Sequence, residues 1–321
     1  LKMKANKELP KADTPVINGN VSTQSPTSSS SGHSKHVPSS SRKNSNYAHP
    51  WAEMSLPGVV KIRELVVDLR KPRFSNDESI ISKNYLAEQF RGCNADELAR
   101  DLSNLNMQQR EAAKRIVHAR DYVLLLGMPG TGKSSTIAFT IRTLVGRGHR
   151  VLVTSYTHSA VDSLTIKLKE SGMDPSTVLR IGAKTSINKN LQEYVLDTAA
   201  LGSTELLKKK IEKAKIIACT VLAASSESIL SNMEFDYCIV DEAGQITQPA
   251  ALGALLLSKR FVLVGDDYQL PPLVLSTEAQ NNGMDISLFK RLAEAHPDTV
   301  VSLSEQYRMN AEIMQISNVL I

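Results

Sequence analysis

The sequence predicts an α/β protein built on a parallel sheet flanked by helices. From Leu105 onward, short apolar segments alternate with segments of helical pattern. Several apolar segments are nearly continuous, as in parallel strands that are covered on both faces. In such a fold the functional residues follow the carboxyl ends of the strands. The predicted strands are residues 122–126, 150–154, 178–181, 215–220, 237–240, 261–264 and 300–303.

Composition and charge narrow the class of protein. The chain has 321 residues, of which 41% are hydrophobic and 22% charged, as in a globular protein of one or two domains. Its net charge of +5 fits a phosphate-rich partner. No apolar run approaches the ~18 residues of a membrane span, so we expect no membrane partner. We interpret the three widely spaced cysteines as small buried apolar residues without a metal; they are Cys93, Cys219 and Cys238.

Composition also divides the chain. Residues 1–55 are rich in Ser, Thr, Pro, Asn and Lys, and they contain too little apolar surface to offset chain entropy. We predict a disordered tail or linker there, a helical lead-in over residues 56–104, and the nucleotide-binding domain over residues 105–321. Because the chain begins at Leu1 and ends on the apolar run 319–321, we expect a fragment of a longer protein.

The segment GMPGTGKS, Gly127 to Ser134, matches the phosphate-binding pattern G-x-x-x-x-G-K-[ST]. It lies between an apolar strand and a predicted helix, and this context favours an ATP site over a chance glycine-rich turn. The glycines let backbone amides surround the phosphates, Lys133 neutralises the β- and γ-phosphates, and the Ser134 hydroxyl ligates Mg²⁺. The predicted nucleotide-binding residues here are Gly127, Gly130, Thr131, Gly132, Lys133, Ser134 and Ser135.

Two adjacent carboxylates, Asp241 and Glu242, follow the apolar segment 237–240. We predict that Asp241 holds Mg²⁺ and that Glu242 orients and deprotonates the attacking water. The alternative is an acidic pair that caps a helix. A domain that only binds nucleotide has little use for the second carboxylate, so the pair favours ATP hydrolysis.

The segment GDDYQLPP follows the next predicted strand, and it carries Gln269. The amide of Gln269 is able to hydrogen-bond both the γ-phosphate and the attacking water. Taken alone, the segment is a polar loop that ends at two prolines. With the two preceding motifs it predicts a third catalytic contribution.

Five segments in this order resemble the first, RecA-like motor domain of superfamily 1 helicases: GMPGTGKS, TSYTHSAVD, IVDEAGQ, GDDYQLPP and SEQYRM. Within that superfamily they are most similar to the branch of the nonsense-mediated-decay RNA helicase and the eukaryotic DNA replication helicase/nuclease. GMPGTGKS, TSYTHSAVD and VVKIRELVVDLRKPRF favour the latter family. The resemblance covers residues 58–321. Asp267 departs from it, because histidine is usual there, and Ser134–Ser135 replaces Thr-Thr.

The resemblance implies two further contacts at the ATP site. Gln109, in the segment LNMQQ, resembles the glutamine that reads the adenine base, although a glutamine on a helix is otherwise unremarkable. Arg308, in SEQYRM, resembles the arginine that reaches the γ-phosphate from the same domain. Its alternative is a surface salt bridge.

The resemblance also implies contacts with a nucleic-acid strand. Short hydroxyls and backbone amides after the second and fourth strands would hold phosphates. The alternative for each is loop or helix-cap chemistry. The predicted nucleic-acid-binding residues are Thr154, Ser155, His158, Ser159 and Thr220.

The activity implied is that of an ATP-dependent 5′–3′ single-stranded DNA helicase of DNA replication and repair, with ATP and Mg²⁺ as cofactors. Implied partners are single-stranded DNA and, in the full-length chain, a second RecA-like domain and a nuclease domain; an iron–sulfur cluster is expected only with the nuclease region. We expect a nuclear protein, with the mitochondrion as an alternative, and weak or no activity for this piece alone. An RNA helicase and a nucleotide-binding switch remain as alternatives, although a switch has little use for Glu242 and Gln269.

Overall fold

The structure is a computed structural model that describes residues 56–75, 95–196, 203–231, 233–266, 268–310 and 312–315. The predicted disordered tail, residues 1–55, lies outside the described residues, as do Cys93 and Asp267. The described residues all belong to one structural unit, Pro50–Ile321.

A parallel sheet of seven strands forms the centre of this unit, in the order β3-β4-β2-β5-β6-β1-β7. The predicted parallel α/β class is confirmed. All seven predicted strands are present, with ends that differ by three residues or fewer. The strands are β1 Tyr122–Gly127, β2 Val151–Ser155, β3 Val178–Arg180, β4 Ile216–Thr220, β5 Phe235–Val240, β6 Ser258–Gly265 and β7 Val300–Leu303.

Helices cover both faces of the sheet. They are α1 Leu56–Val66, α2 Ala95–Asn104, α3 Met107–His118, α4 Lys133–Gly146, α5 His158–Glu170, α6 Thr204–Lys213, α7 Val221–Ser226, α8 Ser228–Ser231, α9 Gln248–Leu255, α10 Thr277–Asn281 and α11 Leu288–Ala295. Successive residues of a strand point to opposite faces, and β1 buries both sets. Val123 and Leu125 pack in one core with α3, α4 and α5. Tyr122 and Leu124 pack in a second core with α1, α7, α9 and α11.

The described parts of the predicted lead-in contain helices α1 and α2, and both helices pack on the elements that follow them. Ile62 and Leu65 of α1 belong to the same core as Tyr122 and Leu124. Leu98 of α2 packs in a small separate cluster with Phe139 of α4. Within the described residues, α1 and α2 therefore share hydrophobic cores with elements that follow Leu105, and the predicted boundary between lead-in and domain stays a prediction.

Asp121, directly before β1, fastens the segment after α1 to the sheet. Its fully buried carboxylate accepts hydrogen bonds from Arg73 Nε at 2.8 Å, Arg73 Nη2 at 3.0 Å and the Arg73 amide at 3.0 Å. Lys61 Nζ lies 3.4 Å away and Arg70 Nη2 3.6 Å away. Burial alone would raise the pKa of Asp121, but Arg73 and Lys61 lower it to about 2. Asp121 therefore stays ionised in the folded protein at neutral pH.

Candidate functional site

The phosphate-binding loop leaves β1 at Gly127 and enters α4 at Lys133. Gly130 and Gly132 have φ angles of +82° and +80°, which side-chain-bearing residues rarely adopt. The Thr131 hydroxyl donates to the Met128 carbonyl at 2.8 Å, and Lys133 Nζ donates to the Gly127 carbonyl. The ammonium group therefore lies against the loop. Unpaired amides at the start of α4 make this end of the helix suited to an anion.

Gln109 of α3 is buried directly behind this loop. Its Nε2 donates to the Thr131 carbonyl at 3.1 Å, and its Oε1 accepts from the Asn106 amide at 3.0 Å. The Asn106 side chain in turn accepts from the Gln109 amide at 2.7 Å, which completes a capping box at the start of α3. The predicted adenine-reading residue thus lies at the site and also supports the loop. Its contact with a base stays a prediction.

A cleft of about 590 Å³ opens beside the loop and is lined on that side by Gln109, Gly130, Gly132, Ser135 and Tyr307. The Tyr307 amide donates to the Gly130 carbonyl at 2.8 Å. Its hydroxyl accepts from Asn106 Nδ2 at 2.7 Å and donates to Glu305 Oε2 at 3.1 Å, while 64% of the residue stays exposed. The sequence interpretation missed Tyr307. The available signal was an aromatic residue beside Arg308.

Arg308 also lies against the phosphate-binding loop. A Cβ atom added to Gly130 would meet Arg308 Cβ at 2.8 Å, so the two backbones are in close contact. Gln306 shapes this turn, because its Oε1 accepts from the Arg308 amide at 3.0 Å and from the Met309 amide at 2.7 Å. Within the described part of the chain, the Arg308 guanidinium takes part in no ion pair. This placement favours the predicted γ-phosphate contact over a surface salt bridge.

Asp241 directly follows β5 and is 7% exposed. Its amide donates to the Thr154 carbonyl at 2.8 Å, and its Oδ1 accepts from the Glu242 amide at 3.0 Å. Burial and the neighbouring Glu242 carboxylate raise the pKa of Asp241 to about 6, although Lys133 lowers it. A divalent cation here would offset the burial and the repulsion from Glu242, both of which destabilise the ionised carboxylate of Asp241. The half-buried Ser134, on the first turn of α4, supplies the hydroxyl of the predicted Mg²⁺ site, and the donor set suits this hard cation.

Glu242 has a φ angle of +53°, in the left-handed region that costs a residue with a side chain about 1–2 kcal/mol. Such residues concentrate at functional sites. Its Oε2 accepts from Gln245 Nε2 at 3.4 Å. Glu242 precedes the short 3₁₀ helix Ala243–Gln245, but its side chain makes no capping hydrogen bond. The geometry therefore does not support the helix-capping alternative for this carboxylate.

Gln269 is held in place by Asp266, a residue that the sequence interpretation did not single out. Gln269 Nε2 donates to Asp266 Oδ2 at 2.8 Å, and the Tyr268 amide donates to Asp266 Oδ1 at 3.1 Å. Asp266 is itself buried at the end of β6. A Cβ atom on Gly244 would lie 2.7 Å from the Asp266 carbonyl, so the loops after β5 and β6 touch. This contact brings the segments of Glu242 and Gln269 to one edge of the sheet.

The predicted nucleic-acid-binding residues divide into buried and surface positions. Thr154 and Ser155 are 0% and 1% exposed, because helices cover both faces of β2. The Thr220 hydroxyl accepts from the Ala223 amide at 3.3 Å and caps α7, as its alternative interpretation stated. His158 is half-buried, and Ser159 is exposed. A phosphate contact by Thr154 or Ser155 stays a prediction that requires local opening of the strand end, since neither hydroxyl reaches the surface.

The exposed segment after β2 contains residues that the sequence interpretation did not select. Tyr156 is 47% exposed directly beyond the strand. The Thr157 hydroxyl accepts from the Ala160 amide at 3.2 Å and caps α5. An aromatic ring beside the backbone amides of the first turn of α5 suits single-stranded nucleic acid, because bases stack on aromatic rings and phosphates accept hydrogen bonds from amides. The signal for Tyr156 was its place inside TSYTHSAVD.

The structure also bears on the predictions about cysteines, metal ions and membrane spans. Cys219 and Cys238 are fully buried, as predicted, and burial raises the pKa of the Cys219 thiol to about 12. Among the described residues no group of three or more His, Cys, Asp or Glu side chains is placed to hold a metal ion. Within the same ranges, no helix has both the length and the apolar character needed to cross a membrane.

Comparison with known proteins gives two matching family models, each described as an AAA domain. One matches residues 104–206 and 199–277, and the other matches residues 284–321. Among solved structures, the UvsW helicase of bacteriophage T4 is similar over 66% of this chain and 70% of its own, with a TM-score of 0.41 and 14% identity.

Two similar relatives are DNA replication ATP-dependent helicase/nucleases. JHS1 of Arabidopsis thaliana is 47% identical over 81% of this chain, and DNA2 of Saccharomyces cerevisiae is 42% identical over 81% of it. The chain spans 18% of the length of the first relative and 16% of the second. By these matches the chain belongs to the AAA domain family, and its relatives are the helicase/nucleases that its motifs resemble.

Proposed function

We propose that this chain is the first motor half of an ATP-dependent helicase that moves 5′ to 3′ on single-stranded DNA. The observation that carries the proposal is the convergence at one sheet edge of the phosphate-binding loop, the Asp241–Glu242 pair, Gln269 and Arg308. A site that only binds nucleotide has no need of the last three. The names of the relatives support DNA replication as the setting. We propose DNA repair as a second setting and the nucleus as the location.

The phosphate groups of ATP would lie on the loop between Gly127 and Ser134, with Lys133 on the β- and γ-phosphates. Mg²⁺ would be held by Ser134 and Asp241, and when bound it neutralises charge on the phosphate oxygens. Glu242 would take a proton from the attacking water. Gln269 would orient that water, since Asp266 already fixes its amide nitrogen at 2.8 Å.

The base of ATP would enter the cleft beside the loop. The exposed ring of Tyr307 offers a stacking surface, and Gln109 lies at the inner wall. Each amide atom of Gln109 has capacity for one further hydrogen bond, because Nε2 carries a second proton and Oε1 a second lone pair. Arg308, whose backbone touches Gly130, would reach the γ-phosphate from the same domain.

The sheet connects this ATP site to residues 156–159, the proposed strand-binding segment for single-stranded DNA. The Asp241 amide donates to the Thr154 carbonyl at 2.8 Å, which joins the end of β5 to the end of β2. Residues 156–159 follow β2 directly, with Tyr156 and Ser159 exposed. A shift of Asp241 on binding or releasing the γ-phosphate would therefore move the backbone that precedes the strand-binding segment. This link supports motion on DNA over nucleotide binding without motion.

The proposed partners in the full-length protein are a second RecA-like domain and a nuclease domain, and an iron–sulfur cluster would belong to the nuclease region. The second motor domain would supply an arginine finger, which is worth about 10³–10⁵ in rate in related NTPases. We therefore propose that the present chain binds ATP and hydrolyses it weakly when alone.

The test is phosphate release by the full-length protein with and without oligodeoxythymidylate. We expect stimulation by DNA, and we expect Glu242→Gln to abolish turnover, with a loss of at least about 10² as for removal of a general base. The matched control is binding of a fluorescent ATP analogue, which Glu242→Gln should retain. Stimulation by RNA alone would favour an RNA helicase. No stimulation by any nucleic acid, or normal turnover in Glu242→Gln, would refute the proposal.

A further inference from the structure

A fully buried arginine lies behind the strand-binding segment. Arg180, the last residue of β3, is 0% exposed. Its Nε donates to Asp162 Oδ1 at 2.8 Å, and its Nη1 donates to the Ile181 carbonyl at 2.6 Å. Its Nη2 lies 3.1 Å from Nδ1 of His158. The arginine therefore bonds two residues of α5 that are one helical turn apart, and it joins the start of that helix to the sheet.

The contact with His158 has only one chemically consistent form. A guanidinium group carries N–H donors and no acceptor, and it stays protonated in proteins. Nδ1 of His158 must therefore accept the hydrogen bond. An imidazole that accepts at Nδ1 is neutral and carries its proton on Nε2. Because the two ring nitrogens lie on opposite sides of the ring, the Nε2–H faces away from the buried arginine.

The surroundings hold this arrangement in place. Asp162 balances the charge of Arg180, and its second oxygen accepts from the Asn188 amide at 2.7 Å. Gly182 has a φ angle of +149°, and a Cβ atom there would lie 3.2 Å from His158 Cε1 and 3.4 Å from Arg180 Nη1. No side chain fits between Gly182 and the pair without displacing one of them. The histidine ring is thus packed on one side and bonded at Nδ1.

We propose that Arg180 is a positioning residue, which holds His158 as a neutral Nε2–H donor to an oxygen atom of single-stranded nucleic acid. This inference rests on the proposed function, and it adds a role for Arg180, a residue of β3 that contacts the start of α5. Because the donor is uncharged, its contact releases no counterion. Losing it should lower affinity by the same factor at every salt concentration, whereas losing a cationic contact reduces the salt slope by about 0.7 for a single strand.

Two substitutions separate the two ring nitrogens. His158→Asn places an amide oxygen near the Nδ1 position, which keeps an acceptor for Arg180 but removes the outward donor. His158→Gln extends an amide nitrogen to the Nε2 position and keeps that donor. The assay is binding of fluorescein-labelled oligodeoxythymidylate to the 321-residue chain across a salt titration. We expect His158→Asn to bind about tenfold more weakly, the equivalent of one hydrogen bond, and His158→Gln to bind within about threefold of the wild type.

A second measurement does not depend on DNA binding. NMR of the imidazole nitrogens in the free chain should show the Nε2–H tautomer for His158, and Arg180→Met, which removes every donor, should yield a mixture of tautomers. If Arg180→Met does not fold, the wild-type spectrum and the two His158 variants carry the test. An Nδ1–H tautomer or an imidazolium at neutral pH overturns the inference, as does unchanged affinity of His158→Asn or a salt slope reduced by about 0.7. Absence of DNA binding by the wild type would refute the proposed function instead.

Discussion

Substituting Gly132 tests whether the phosphate-binding loop depends on its contact with α3. Gly132 has a φ angle of +80°, where an alanine costs about 1–2 kcal/mol. The added Cβ atom would lie 2.5 Å from Gln109 Nε2, a separation that the amide must relieve by moving. Gln109 then loses its hydrogen bond to the Thr131 carbonyl, which is worth about 1 kcal/mol. We expect Gly132→Ala to lower the free energy of unfolding by about 2–3 kcal/mol.

Gly148, beyond the other end of α4, is the matched control. Its φ angle is +85°, and an added Cβ atom would meet nothing within 4 Å. Gly148→Ala therefore carries the same backbone strain, about 1–2 kcal/mol, without the steric contact. The effect of alanine on the unfolded chain is common to both variants and cancels. The difference between the two variants, about 1 kcal/mol, measures the contact with Gln109.

The assays are urea unfolding and titration with a fluorescent ATP analogue. We expect Gly132→Ala to weaken nucleotide binding by about tenfold, because the displaced Gln109 no longer supports the loop and the bound conformation then costs about 1 kcal/mol more to form. Gly148→Ala should leave that affinity unchanged. In a Gln109→Ala background the contact is gone, so Gly132→Ala should cost no more than Gly148→Ala. Equal losses of stability for the two glycine variants in the wild-type background, or unchanged nucleotide affinity in Gly132→Ala, would refute this reasoning.

Two further substitutions test the roles of the charged side chains of Lys133 and Asp121. Lys133→Ala should abolish detectable binding of the ATP analogue, because in the proposed site the ammonium would neutralise two phosphates, and an unchanged dissociation constant would contradict that role. Asp121→Asn should lower the free energy of unfolding at pH 7 by about 2 kcal/mol, from its folded pKa of about 2. This stabilisation is fully present above the unfolded pKa near 3.9 and is lost as the pH falls through about 2. Urea unfolding at several pH values checks this prediction. A difference in free energy of unfolding between the wild type and Asp121→Asn that widened below pH 4 would exclude the ionised Asp121 carboxylate as its source.

The positions of the strands along the chain and the parallel class of the sheet could be predicted from the sequence because the information is local. A continuous apolar run bounded by polar segments predicts a buried parallel strand, and each of the seven segments became one. The conformation of the phosphate-binding loop is local too, since Gly130 and Gly132 adopt φ angles that glycine favours. Strand ends were less certain, because pairing with neighbours extends β6 to Ser258.

Residues that act through contacts set by the folded chain could not be selected from a linear pattern. Asp266 was visible only as one of two adjacent acids, because its contact with the Gln269 amide, three residues on, depends on how the loop after β6 folds. Tyr307 lies beside the loop because its amide bonds the Gly130 carbonyl. Arg180 carried no signal of its own, since a charged residue in a strand predicts a solvated position. The roles of Tyr307 and Arg180 depend on contacts between different elements, which only the tertiary structure sets.

The sequence by itself determined the parallel α/β class, the phosphate-binding loop and the acidic pair Asp241–Glu242, since these follow from contiguous residues whose backbone preferences and side-chain chemistry act locally. Only the tertiary structure decided which polar side chains reach the surface. It buried Thr154 and Ser155 between covering helices and turned Thr220 into a helix cap. The physical reason is that exposure and hydrogen-bond partners are set by packing between elements, and packing depends on the whole chain at once.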